Sequence, residues 1–82
     1  MRSIENKPLW NQEYAILDFT ELVCKTMKEK GITKKDLAQL LGTSQAEVTK
    51  ILSGDRNISI RLMSDMLFHL GCQLVFGVKK KD

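Results

Sequence analysis

The sequence predicts a small all-α domain of about four to five short helices, compact around one core and followed by a single β-strand. Three observations predict this fold. Apolar residues recur at helical spacing through most of the chain. Gly31, Gly42 and Gly71 interrupt that pattern. Serine or threonine precedes several of the apolar runs, which is a common start signal for a helix.

The composition is that of one small globular domain. The chain has 82 residues, of which 43% are hydrophobic and 28% charged. A core of this size is sufficient but not generous, so we expect the chain to gain stability from a partner subunit. The net charge of +3 is compatible with a polyanionic partner and equally with ordinary solubility.

The sequence offers little for catalysis or for a cofactor. His69 is the single histidine, and no motif joins it to a nucleophile. No metal-ligand cluster and no glycine-rich phosphate loop is present, so we predict no metal, no cofactor and no enzymatic activity. Cys24 and Cys72 form no paired motif and are expected to be buried thiols in a reducing cytoplasm. No apolar run approaches a membrane span.

The first part of the chain is predicted to form an arm at residues 1–11, followed by a long helix. Pro8 argues against an earlier helix start, and Asn11 is a suitable cap for a helix running to about Lys30. Trp10 would then fold back as a lid on the small core or pack on a partner subunit.

Two short helices, at about 34–41 and 45–52, form the centre of a predicted domain at 12–71. Thr33 has Asp36 three residues later, and Ser44 has Glu47 three residues later, so each pair fits a capping box. Gly42 suits the left-handed backbone needed to leave one helix and enter the next at a steep angle.

The spacing within these two helices predicts a helix-turn-helix. The residues expected to form its core are Leu37, Ala38, Gly42, Val48 and Ile51. Val48 and Ile51 share one face of the second helix, which turns the opposite face outward. The residues on or near that outward face are Gln45, Ala46, Thr49 and Lys50. A polar helix face of this kind fits the major groove of DNA.

After a loop at 53–57, Ser59 is expected to cap a further helix at about 60–70. Residues 72–78 then alternate with a period of two, which predicts a strand. The residues expected to carry it are Leu74, Val75, Phe76 and Val78. A lone strand needs a partner backbone, so we expect it to pair with the same strand of a second copy. The alternative is a tail folded back on the helices, and a basic tail at 79–82 ends the chain.

The region at 31–71 resembles the phage-repressor type of helix-turn-helix domain, the Xre/Cro-like family with the lambda-repressor-like fold. The supporting stretches are Gly-Ile-Thr-Lys-Lys-Asp-Leu-Ala, Leu-Gly-Thr-Ser-Gln and Val-Thr-Lys-Ile-Leu-Ser-Gly, followed by Asn57 and Leu70-Gly71. The resemblance implies that the outward face of the second helix reads bases in double-stranded DNA.

The expected roles follow from position and chemistry. Gln45 can present a donor and an acceptor together to adenine. Ala46 would contact a thymine methyl or pack within the helix, Thr49 lies on or near the same face, and Lys50 would meet a guanine or a phosphate. The resemblance places Lys34 at a phosphate anchor. The remaining phosphate candidates are Thr43, Ser44, Arg56 and Asn57. An alternative role for Asn57, which fits equally well, is to fix the turn before Ser59.

Two functions fit these features. The first is a dimeric transcription regulator that represses from an inverted-repeat operator. The second is the antitoxin of a toxin–antitoxin pair, which would bind a toxin protein and its own promoter. A surface for a toxin and a surface for a second copy are alike in composition, so the sequence leaves both open.

Overall fold

The computed structural model describes residues 8–80. In that range the chain forms four helices: α1 at Pro8–Lys30, α2 at Lys34–Leu41, α3 at Gln45–Leu52 and α4 at Ile60–His69. The predicted arm before residue 8 and the last two residues of the basic tail lie outside this range. The all-α prediction is confirmed.

One core joins the four helices, with α2 packed on both α3 and α4, and α1 packed on α3. The core face of α1 consists of Phe19, Val23 and Met27. The other buried apolar residues are Leu37, Ala38, Val48, Ile51, Met66 and Leu70. The helix α3 is therefore packed against both α1 and α2.

The first helix starts earlier than the sequence predicts, at Pro8 rather than after Asn11. Proline is well tolerated in the first helical turn, because the N–H that it lacks would have no helical partner there. Trp10 therefore lies within α1 and is 46% exposed, so it does not form a lid over the core. No residue between 8 and 18 is buried, which leaves the first half of α1 largely open to solvent.

Both cysteines are exposed, whereas the sequence predicts buried thiols. Cys24 lies in a helix with apolar residues on several faces, and Val23 and Met27 take the places that face the core. Hydropathy alone could not decide which of these faces points inward. Cys72 follows Gly71, at the point where the chain leaves the core.

The predicted C-terminal strand is not formed within this chain. Residues 72–80 have neither helical nor strand structure, and no strand occurs between residues 8 and 80. The physical reason is that a strand is defined by backbone pairing, and no second strand lies beside this segment within residues 8–80. Its apolar side chains stay in solvent, with Val75 at 78% and Phe76 at 73% exposure.

Candidate nucleic-acid interface

The turn between α2 and α3 is fixed by the backbone of Gly42. Its φ of 71° and ψ of 34° are left-handed. The N–H of Gly42 donates to the carbonyl of Gln39 at 3.2 Å, and the N–H of Thr43 donates to the carbonyl of Ala38 at 2.9 Å. No atom lies within 4 Å of the place where a Cβ would stand on Gly42. Glycine is therefore required here by backbone conformation and not by lack of space.

The start of α2 carries the complete capping box that the sequence predicts. The N–H of Thr33 donates to the Asp36 carboxylate at 2.9 Å, and the N–H of Asp36 donates to the Thr33 hydroxyl at 3.1 Å. These hydrogen bonds with Thr33 lower the pKa of Asp36 from its usual value of 3.8. Lys34 follows as the first residue of α2 and is exposed.

The start of α3 is capped differently from the prediction. The hydroxyl of Ser44 accepts from the N–H of Glu47 at 3.1 Å, so Ser44 is the N-cap. The Glu47 carboxylate does not return to the Ser44 backbone, and the box is incomplete. Because the cap uses the Ser44 oxygen as an acceptor, the O–H of this exposed residue remains available as a donor.

The Glu47 carboxylate instead forms a bidentate ion pair with Arg56. The two guanidinium nitrogens lie 2.5 and 3.0 Å from the two carboxylate oxygens. This pair joins α3 to the loop that follows it. No local pattern could have predicted it, because the two residues are nine positions apart and meet only after the chain has turned. Its site is partly exposed, with 43% of the Arg56 side chain accessible, so we expect it to contribute at most about 1 kcal/mol.

The two sides of α3 differ as the helical spacing predicts. Val48 is fully buried and Ile51 is 3% exposed. The residues predicted for the outward face are all exposed: Gln45, Ala46, Thr49 and Lys50. The helix therefore presents a short polar surface that is anchored from behind by two β-branched side chains.

The phosphate candidates lie on three segments of the chain, before, at the start of and after α3. Lys34 begins α2, while Thr43 and Ser44 form the turn before α3, and all three are exposed. Arg56 and Asn57 lie in the loop after α3, where they help to line a cleft of about 670 Å³ against α1. Along the chain, hydrogen-bond donors and basic side chains thus precede α3, begin it and follow it.

The comparisons with known proteins agree with this geometry. A family model described as helix-turn-helix matches residues 25–76, which is well over half of the chain. The chain belongs to this helix-turn-helix family. The resemblance to the phage-repressor type is thereby confirmed. No curated protein and no solved structure matches the chain.

Members of the helix-turn-helix family are DNA-binding transcription regulators, and the family is not one of enzymes. In general terms this protein is therefore a DNA-binding regulator. Among the described residues, no group of histidine, cysteine and acidic side chains could hold a metal ion. In the same range, none of the helices has the length and apolarity needed to cross a membrane.

Proposed function

We propose that the protein is a sequence-specific transcription regulator that binds an inverted-repeat operator as a homodimer and represses by occupying it. The observation that carries this proposal is the orientation of α3. Val48 and Ile51 are buried, whereas Gln45 at the start of the helix is exposed. A helix held in this way can enter a major groove without losing its contacts with the core.

Base reading is assigned to the outward face of α3. The Gln45 amide offers a donor and an acceptor side by side, which matches N6 and N7 of adenine. Ala46 would contact a thymine methyl group. Lys50 lies in the last turn of α3 and reaches a guanine or a phosphate, while Thr49 supplies a hydroxyl to the same face.

Phosphate binding is assigned to the residues around that face. Lys34 supplies a cation, and the exposed hydroxyls of Thr43 and Ser44 supply donors. Arg56 uses one N–H from each of two nitrogens for Glu47, which leaves the other guanidinium N–H groups for a phosphate. Asn57 would add an amide from the same loop.

Dimerisation is assigned to the C-terminal segment at 74–78. Val75, Phe76 and Val78 are 78%, 73% and 93% exposed, and Leu74 is partly exposed. Pairing with the same segment of a second copy would cover these side chains and satisfy the backbone of both segments. A two-fold axis of this kind would present two α3 helices about 34 Å apart, which is one turn of DNA.

Selection of bound duplexes from a random pool tests this function directly. We expect enrichment of an inverted repeat whose half-sites are centred about 10 base pairs apart. The selected duplex should bind more tightly than a scrambled duplex of equal composition at every salt concentration. Equal binding of selected and scrambled duplexes would contradict sequence-specific reading.

The exposed C-terminal segment also fits a second function, that of an antitoxin in the cytoplasm. In that case Val75, Phe76 and Val78 would contact a toxin protein in place of a second copy. A small toxin-like reading frame beside the gene would favour this function. Co-expression of the two chains, with and without Phe76→Glu, would then decide whether the segment contacts the toxin.

A further inference from the structure

Glu47 lies at the edge of the outward face of α3. At about 100° per residue, it is about 40° around the helix from the buried Ile51 and about 60° from the exposed Lys50. It is about 160° from Gln45, so these two residues lie on nearly opposite sides of α3. The Glu47 side chain therefore borders the outward face on the side where Lys50 lies.

The ion pair brings the Arg56 guanidinium to the same edge of α3. Arg56 belongs to the loop after the helix, but both of its terminal nitrogens donate to the Glu47 carboxylate, at 2.5 and 3.0 Å. Two parallel contacts fix the plane of the guanidinium as well as its distance from the carboxylate. Within residues 8–80, neither Lys34 nor Lys50 has an ion pair of this kind. Among these three basic side chains, only Arg56 is oriented by an ion pair before DNA binds.

An unpaired carboxylate at this edge would oppose DNA binding, because it would repel the phosphates. Here Arg56 neutralises the negative charge of Glu47. Two of the five guanidinium N–H groups donate to Glu47, which leaves three for another acceptor. A long side chain that is already held in place loses less conformational entropy when it binds a phosphate.

We propose that Glu47 is a positioning residue for DNA binding, which holds Arg56 at the edge of α3 in an orientation that binds a DNA phosphate. In this role Glu47 contacts neither a base nor a phosphate. The proposal rests on the proposed function, because it concerns how that interface binds the phosphate backbone. The contribution of the pair should therefore not depend on base sequence.

Two substitutions that change the net charge equally test the proposal. Glu47→Gln removes the carboxylate that holds Arg56, but it keeps the helix cap, which uses the backbone N–H of Glu47. Asp55→Asn is the matched control, because Asp55 is an exposed acidic residue of the same loop and has no ion pair within residues 8–80. Each substitution is made in the unaltered chain and in Arg56→Ala. Fluorescence anisotropy measures the affinity of every variant for the scrambled duplex over a range of salt concentrations.

With Arg56 present, Glu47→Gln should bind roughly three- to fivefold more weakly than Asp55→Asn, a factor within the range of a partly exposed ion pair. The slope of log affinity against log salt concentration should be smaller for Glu47→Gln by about one, because one phosphate contact is lost. A role of Glu47 in stability alone would not change this slope. Arg56→Lys keeps the charge without the bidentate contact, and it should also bind more weakly than the unaltered chain.

In the Arg56→Ala background, Glu47→Gln and Asp55→Asn should have equal affinities, because no guanidinium is left to position. A difference of the same size in both backgrounds would overturn the proposal. Binding by Glu47→Gln that equals or exceeds that of Asp55→Asn with Arg56 present would also overturn it, and so would Arg56→Lys with the affinity of the unaltered chain. Urea unfolding, followed by circular dichroism, identifies conditions in which every variant is folded.

The scrambled duplex separates this proposal from sequence-specific reading. An unaltered chain that binds selected and scrambled duplexes equally would contradict the proposed reading of bases, but it would still report on Glu47 and Arg56. An unaltered chain that binds no duplex would overturn both.

Discussion

Replacing Val48 by alanine tests the orientation of α3, on which the proposed interface depends. Val48 is fully buried between the helices, and its neighbour Thr49 is exposed. The two residues are adjacent in sequence but about 100° apart around the helix. Truncation to alanine at these two positions should therefore give different results.

The expected magnitude follows from the groups that are removed. Val48→Ala removes two buried carbon groups at about 0.8 kcal/mol each, or about 1.6 kcal/mol in total. The cavity left between α2 and α3 raises the loss of unfolding free energy toward about 3 kcal/mol. For a domain of this size, that corresponds to a fall in Tm of roughly 6–24 °C. Thr49→Ala removes an exposed side chain and should change the unfolding free energy by less than about 0.5 kcal/mol.

Thermal and urea unfolding, followed by circular dichroism at 222 nm, measure both variants against the unaltered chain. At 20 °C, where both variants are folded, the order of the two effects on DNA affinity should be the opposite of their order in stability. Thr49→Ala should weaken binding to the selected duplex, and Val48→Ala should change it little. Equal stability of the two variants would refute the orientation, and so would a greater loss of stability in Thr49→Ala.

The remaining predictions concern the turn, the cap and a phosphate anchor. Gly42→Ala should lower the unfolding free energy by about 1–2 kcal/mol because of the left-handed backbone alone, while Gly42→Asn should lower it less; urea unfolding measures both. Because the pKa of Asp36 is lowered on folding, the stability that its capping hydrogen bonds contribute is fully present above pH 3.8, its ordinary pKa. That stability is lost as the pH falls through the lower pKa of Asp36 in the folded chain. The stability difference between the unaltered chain and Asp36→Asn should therefore be largest near neutral pH and shrink in acid unfolding below that pH. Lys34→Ala should weaken binding to selected and scrambled duplexes alike, and should reduce the salt slope measured by anisotropy by about one.

Features that depend on neighbouring residues could be predicted from the sequence. The capping box at Thr33, the N-cap at Ser44 and the left-handed turn at Gly42 each involve residues at most a few positions apart. The inward orientation of Val48 and Ile51 follows from helical spacing, because their apolar side chains are three positions apart on a short helix.

Features that depend on distant parts of the chain could not be predicted in this way. The Glu47 carboxylate can bind either the Ser44 backbone, three residues away, or a basic side chain that is remote in sequence. In the structure it pairs with Arg56. The sequence does not predict the exposure of Cys24, because α1 has apolar residues on several sides and hydropathy does not say which side meets the core. The strand at 74–78 requires a second backbone, so it remains a prediction about an assembly.

The most direct test of the central claim compares Gln45→Ala with Gln39→Ala on the selected duplex. Both glutamines are exposed, but Gln45 opens α3, whereas Gln39 lies on α2. Fluorescence anisotropy should show a loss of about 1–3 kcal/mol for Gln45→Ala, which vanishes on a duplex with the contacted adenine replaced. Gln39→Ala should bind both duplexes like the unaltered chain. Equal affinities for the unaltered chain and Gln45→Ala on the selected duplex would contradict the claim that the outward face of α3 reads DNA.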